Sequence, residues 1–187
     1  MTETRGADAL LLIDIQRDYF PGGKMALYEP ERAATAAGSL LERFRQRGRP
    51  VIHVQHHAVR PGSGFLVAGS SGVEPWTTVR PVSDEPVIIK QFPNSFRETE
   101  LRDVLDRLGV KTLAVAGMMT HMCVDATVRQ ATDYGYEVLV AGDACATREL
   151  AFEGRTVPAP EVHAAFLAAL DGSYGRVVST EALLDKL

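Results

Sequence analysis

"KTLAVAGMMTHMCVDATVRQATDYGYEVLVAGDA", residues 111–144, decides the fold. Its opening, "KTLAVAGM" (111–118), is a near-continuous apolar run too short for a helix of ordinary length, so it reads as a strand buried on both faces. Residues 122–135, "MCVDATVRQATDYG", read as a helix that Gly135 stops. "YEVLVAGDA" (136–144) is a second buried strand. A strand, a helix and a second strand in so short a space form a crossover unit, which places the two strands parallel.

The same alternation runs outward in both directions. "ALLLID" (9–14) is too continuous to alternate and is the first strand. Residues 30–48 are helical: Pro30 and Glu31 suit a first turn, Ala33, Ala37, Leu40, Leu41 and Phe44 form one apolar stripe, and Gly48 suits the stop. "PVIHV" (50–54) and "PVIIK" (86–90) are strands, separated by a long Gly/Ser/Pro-rich stretch over roughly 58–86 that carries Phe65 and Trp76. Loops of that length in compact domains are usually functional or disordered. Residues 99–109 form an amphipathic helix through Leu101, Val104, Leu105 and Leu108, residues 159–172 another helix, and "RVVST" (176–180) the last strand. The expected architecture is α/β: three layers, α/β/α, around a six-stranded, mostly parallel, Rossmann-like sheet.

Composition agrees. The 187 residues, 45% hydrophobic and 24% charged, suit one globular domain over 1–187. A net charge of −4 without a basic cluster argues against nucleic acid as partner. No apolar run approaches the ~20 residues that cross a membrane. The opening "MTETRGAD" lacks a secretory pattern, so the expected location is cytoplasmic and the two cysteines, Cys123 and Cys145, are expected reduced.

In parallel sheets ligands sit beyond the carboxyl ends of the strands. The first strand ends in Asp14, the third in Lys90, and the fourth runs into the turn that carries Cys123. Each has an ordinary alternative: Asp14 as a loop cap, Lys90 as a solvated amine, Cys123 as packing. Their convergence on one edge favours chemistry. A thiol in the first turn of a helix, beside a cation, is expected to have a lowered pKa. Asp14 then serves as general base, with Lys90 holding the carboxylate, and free N–H groups around Met119 and Cys123 receive an oxyanion.

"LLIDIQRDYFPGG", "IIKQFPNSF", "VAGMMTHMCVDATVRQATDYGYEV" and "GDACATR" resemble the isochorismatase-like cysteine hydrolase superfamily, which includes nicotinamidases and N-carbamoylsarcosine amidases. The likeness runs from about residue 7 to 180. It implies Asp14 as general base, Lys90 as its partner, Cys123 as nucleophile, and a non-proline cis peptide between Met118 and Met119 that aims the Met119 N–H together with that of Cys123 as oxyanion hole. It implies hydrolysis of a small-molecule amide through a thioester on Cys123, Phe20 and Phe96 near the substrate, and a homodimer or homotetramer. Isochorismatase-type cleavage of a vinyl ether needs no thiol and is the alternative; a non-enzymatic thiol redox sensor, which needs no general base, is the third reading.

The histidines bear on cofactors. "HVQHH" offers His53, His56 and His57, and imidazole is a common zinc ligand. The superfamily's nicotinamidases hold a metal through a D-x-H motif and a later histidine. Here Gln55 stands where the acid would be, and alternation puts His56 and His57 on opposite faces. No metal and no cofactor are expected, with a site-lining or capping role for one of the three. His121 lies two residues before Cys123, where helical geometry keeps the pair apart, so it is expected to line the pocket with Trp76, Phe20 and Phe96. Cys145 is read as packing and Asp143 as a cap. The segment 146–157 is a candidate lid whose Arg148 or Arg155 meets a substrate carboxylate.

Overall fold

A computed structural model describes residues 6–187. The leading residues 1–5 of the polar opening lie outside the described residues. Six strands form one wholly parallel sheet in the order β3-β2-β1-β4-β5-β8, where β1 is Ala9–Ile13, β2 Val51–His56, β3 Val87–Lys90, β4 Thr112–Met118, β5 Glu137–Ala146 and β8 Arg176–Val178. Helix α1 (Pro30–Gln46) and the short α5 (Thr180–Leu184) cover one face; α2 (Leu101–Arg107), α3 (Asp125–Asp133) and α4 (Ala159–Leu170) cover the other. No helix among the described residues is long and apolar enough to cross a membrane.

Strand alternation sorts the core. Leu10 and Leu12 of β1 pack with Ala33, Ala37, Leu40 and Phe44 of α1, whereas Leu11 and Ile13 pack with Leu101 and Leu105 of α2 and Val128 of α3. Burial of both faces explains why these strands read as continuous apolar runs. From β1 the chain winds to β2 and β3, then returns to place β4 on β1's other side. The strand order therefore reverses between β1 and β4, and a crevice opens beyond their carboxyl ends.

Three features differ from expectation. The stretch 58–86 is ordered: two short 3₁₀ turns (Ser71–Val73, Thr77–Val79) carry buried Val73 and Val79 against the α1 face. Two side chains following β1 tie it down. The fully buried Gln16 donates to the carbonyls of His56 (3.0 Å) and Val73 (2.8 Å) and accepts from the His56 N–H (2.8 Å). Asp18 accepts from the amides of Leu66 (2.6 Å) and Lys24 (3.2 Å). Second, residues 150–157 form a hairpin of β6 (Leu150–Phe152) and β7 (Arg155–Val157). Third, the last strand stops at Val178, because the Ser179 side chain accepts from the Ala182 N–H and starts α5.

Candidate active site

β1 delivers Asp14 to the crevice in a left-handed conformation (φ 51°) that few non-glycine residues adopt. Its neighbour β4 approaches closely: at Gly117 (φ 150°) a Cβ would run into the Ile13 carbonyl oxygen. Beyond Gly117 the Met118–Met119 peptide is cis. The Met119 carbonyl then accepts from the N–H groups of Met122 (3.0 Å) and Val124 (3.2 Å), passing over Cys123. The result is a π-helical turn, Thr120–Val124, before α3 begins at Asp125. A π-bulge holds one residue more than an α-turn, and such turns recur at functional sites. The expected helix at 122–135 thus has its regular part only from Asp125.

The strand register brings the rest. His56 pairs with Lys90 across β2 and β3. Lys90 Nζ lies 2.6 Å from Asp14 Oδ2 and 3.3 Å from His56 Nδ1. Side-chain donor atoms of Asp14, His56 and Cys123 all lie within 4.8 Å of one another. Asp14 is fully buried, Lys90 and Cys123 nearly so, and among the described residues neither Asp14 oxygen has a hydrogen-bond donor, Oδ2 meeting Lys90 as an ion pair. Carboxylate, ammonium and thiol, drawn from three distant parts of the chain, thus meet at one rim of the sheet.

Electrostatics corrects one expectation. Cys123 is not an activated thiolate at rest: burial and then the Asp14 carboxylate push its pKa up to about 12, against the opposing pull of Lys90. Burial outweighs the cation because a desolvated thiolate loses its water. Lys90, despite burial, is held above its usual value by Asp14 and Cys123, so the amine is an ammonium. The resting site pairs a neutral thiol with a carboxylate salt-bridged to lysine.

The histidines disperse. His53 Nε2 pairs with Glu85 (2.8 Å), which also binds Arg45. His57 faces Gln55 (3.4 Å). Of the three, His56 reaches Asp14 and Cys123, and Lys90 Nζ stands beside it at 3.3 Å. The three histidines therefore face different partners and do not gather around one point. His56 is the site residue that the sequence did not single out. Its signal was register: the last residue of β2 faces the last residue of β3.

The expected pocket residues separate. Trp76 is half-buried and donates its N–H to the Ile15 carbonyl (2.8 Å), next to Asp14. Phe20 is fully buried and stacks on the Trp76 ring at 3.8 Å, so it supports that ring rather than offering a surface. Phe96 is a correction. Its ring lies between Tyr134, past the end of α3, and Tyr136, before β5. Both belong to the amino-terminal end of β5, away from the rim, so Phe96 is core. His121 faces the Thr147 hydroxyl (2.5 Å) and the Phe166 ring (5.8 Å); its Nε2 is buried without a partner. Arg148 Nε is likewise buried and unpaired, and the guanidinium acts electrostatically on both His121 and the buried Tyr19, which itself feels Cys123 and Asp14. Arg155 is exposed. Asp143 caps, accepting from the N–H and hydroxyl of Thr180, both at 2.8 Å.

Comparison with known proteins follows the same lines. A family model described as the isochorismatase domain matches residues 8–182. The chain is 53% identical to the uncharacterized isochorismatase family protein YddQ of Bacillus subtilis, over 94% of this chain and 98% of that one. It is 29% identical to maleamate amidohydrolase of Pseudomonas putida, over 96% and 86%. Among solved structures, an isochorismatase from Pseudomonas putida KT2440 superposes with a TM-score of 0.89 at 33% identity, covering 97% of this chain and 93% of that one.

Proposed function

This chain belongs to the isochorismatase family, and on that footing we propose that it hydrolyses the C–N bond of a small-molecule amide through a thioester on Cys123. The observation that carries the reading is the contact of Asp14, Lys90 and the Cys123 thiol at the crevice between β1 and β4. A thiol with a pKa near 12 cannot attack at neutral pH unless its proton leaves as the sulfur approaches carbon. Asp14 takes that proton; Lys90 is ion-paired with the carboxylate and offsets the negative charge on sulfur during transfer. The carbonyl oxygen becomes an oxyanion received by the N–H groups of Met119 and Cys123. Asp14 then returns the proton to the departing nitrogen, the C–N bond breaks, and ammonia or an amine leaves a thioester. A water molecule gives a proton to Asp14 and attacks the thioester carbon. The acid is released and the Cys123 sulfur is reprotonated from Asp14.

The unpaired nitrogens of His121 and Arg148 point to the substrate class. A buried donor without an acceptor is costly, and a substrate carboxylate would satisfy both while the Trp76 ring covers its apolar part. The reading is therefore an amide that also bears a carboxylate. The maleamate amidohydrolase relative, by its name, acts on a molecule of that kind.

Ammonia release from a panel of small amides, with and without a carboxylate, tests this, followed by intact-mass detection of an acyl adduct. Turnover of the carboxylated members with an adduct on Cys123 supports the proposal. Equal turnover by the Cys123→Ala variant, or an adduct elsewhere, overturns it.

A further inference from the structure

The triad as described leaves one feature unused. His56 lies beside it, and nothing in acyl transfer through Asp14, Lys90 and Cys123 requires a fourth titratable group there. An ammonium only donates, so His56 Nδ1, at 3.3 Å, accepts from Lys90 and the ring hydrogen resides on Nε2. Lys90 then has a partner on each side: Asp14 Oδ2 at 2.6 Å and His56 Nδ1 at 3.3 Å, with the Cys123 sulfur as its third neighbour. Three partners thus surround the ammonium, which restricts the direction of a side chain otherwise free to rotate. The imidazole is itself fixed. Its backbone is gripped on both sides by Gln16, through bonds of 2.8 and 3.0 Å, and the Phe92 backbone hydrogen-bonds the ring. Gln16 follows Asp14 by two residues, so one short segment positions both the acid and the histidine.

We propose that His56 is a positioning residue of this site: its Nδ1 accepts from the Lys90 ammonium and holds that cation between the Asp14 carboxylate and the Cys123 sulfur. The role rests on the amide-hydrolase reading only for its effect on turnover; its effect on the thiol does not depend on any substrate. The groups that face His56 are Asp14 just past the end of β1, His57 just past the end of β2, Lys90 from β3 and Cys123 from the turn after β4. Burial, with Lys90 as second cause, lowers the histidine's pKa, consistent with a neutral acceptor.

Alkylation of Cys123 by iodoacetamide, followed by intact mass from pH 7 to 10, tests this without a substrate. In His56→Leu the ammonium loses its imidazole acceptor and its hold beside the sulfur, so alkylation at a given pH slows about tenfold, as it does when a thiol pKa rises by about one. Asparagine can place its carbonyl oxygen near the position of Nδ1, so His56→Asn returns the rate to within about twofold. In a Lys90→Met background, His56→Leu causes no further change, because the two residues act through one contact. Thermal melts of each variant confirm folding. Wild-type alkylation in His56→Leu, failure of His56→Asn to rescue, or a full effect of His56→Leu in the Lys90→Met background overturns the proposal. On a turned-over amide, His56→Leu lowers kcat about tenfold and leaves KM unchanged. If no amide is hydrolysed while the alkylation pattern holds, the functional reading fails and the positioning role stands.

Discussion

Two buried thiols stand at the ends of neighbouring strands, and they differ in everything but burial. Cys123 follows β4 and Cys145 lies near the end of β5. Burial pushes each up to about 12. Cys123 faces Asp14, Lys90 and His56. Cys145 has the backbone of Gly117 and the more distant charge of Asp143, beside a broad groove of about 710 Å³ lined by Tyr28, Arg32, His163 and Leu167 among others. A large cavity and a strong pKa shift therefore occur at the thiol without a base. The rim at β1 and β4 holds the carboxylate and the cation. Perturbed titration marks a site only together with partners that can move a proton.

The sharpest way to break that comparison is to remove the proposed nucleophile. Cys123→Ala is expected to reduce kcat on the true amide by on the order of 10⁵-fold, as removal of a catalytic nucleophile does elsewhere, with an unchanged melting temperature to within a few degrees. Steady-state ammonia release checks it. Residual turnover within tenfold of wild type would place the chemistry at some other group.

Asp14→Asn separates the two jobs of the carboxylate and comes next in size. With Asp14 as the proposed general base, its loss is expected to lower kcat by roughly 10²–10⁴-fold. The thiol responds in the opposite sense. Asp14 raises the Cys123 pKa and Lys90 lowers it, so removing the carboxylate's charge lowers the pKa and increases the thiolate fraction at pH 8. Alkylation then speeds up, about tenfold if the pKa falls by one. Lys90→Met reverses the sign and slows alkylation. In wild type the alkylation rate climbs with pH and reaches no plateau below about pH 11, because the thiol titrates near 12. A plateau near pH 8 would mean that the resting site holds a thiolate after all.

Much of the tight rim was legible because buried parallel strands end where their apolar runs end. "ALLLID", "PVIIK" and "TLAVAGM" each stop at or just before a residue that carries chemistry, so the approximate places of Asp14, Lys90 and Cys123 follow from strand limits alone. The π-turn that presents Cys123 was not legible: one extra residue in a turn leaves no periodic mark. Gln16 and Asp18 escaped for a different reason. They bond backbone groups 40 to 57 residues away, and contacts to the main chain impose no residue type on the partner. Phe96 misled because an aromatic beside a strand end packs as readily toward the amino-terminal end of the sheet. His56 was visible as a histidine but not as the neighbour of Lys90, since register between β2 and β3 depends on the long connection between them. On the β5 side, the short α5 was hidden because a five-residue helix shows too few turns for a stripe.

The smallest expected effect falls on the other thiol. Cys145→Ala removes one buried sulfur that meets neither base nor cation, so kcat and KM on the true amide should stay within about twofold of wild type. Stability should drop by about 1 kcal/mol, a typical cost of a single core truncation, which in a chain of this size lowers Tm by roughly 2–4 °C. The substitution also removes a side chain next to Gly117, whose backbone pairs with Asp14's strand. A large activity loss with little change in Tm would therefore mean that the β5 side transmits its packing to the triad through Gly117. Partial alkylation sharpens the contrast further: iodoacetamide at pH 9 should label Cys123 before Cys145, because Lys90 supports a thiolate on Cys123 and no cation among the described residues does so for Cys145.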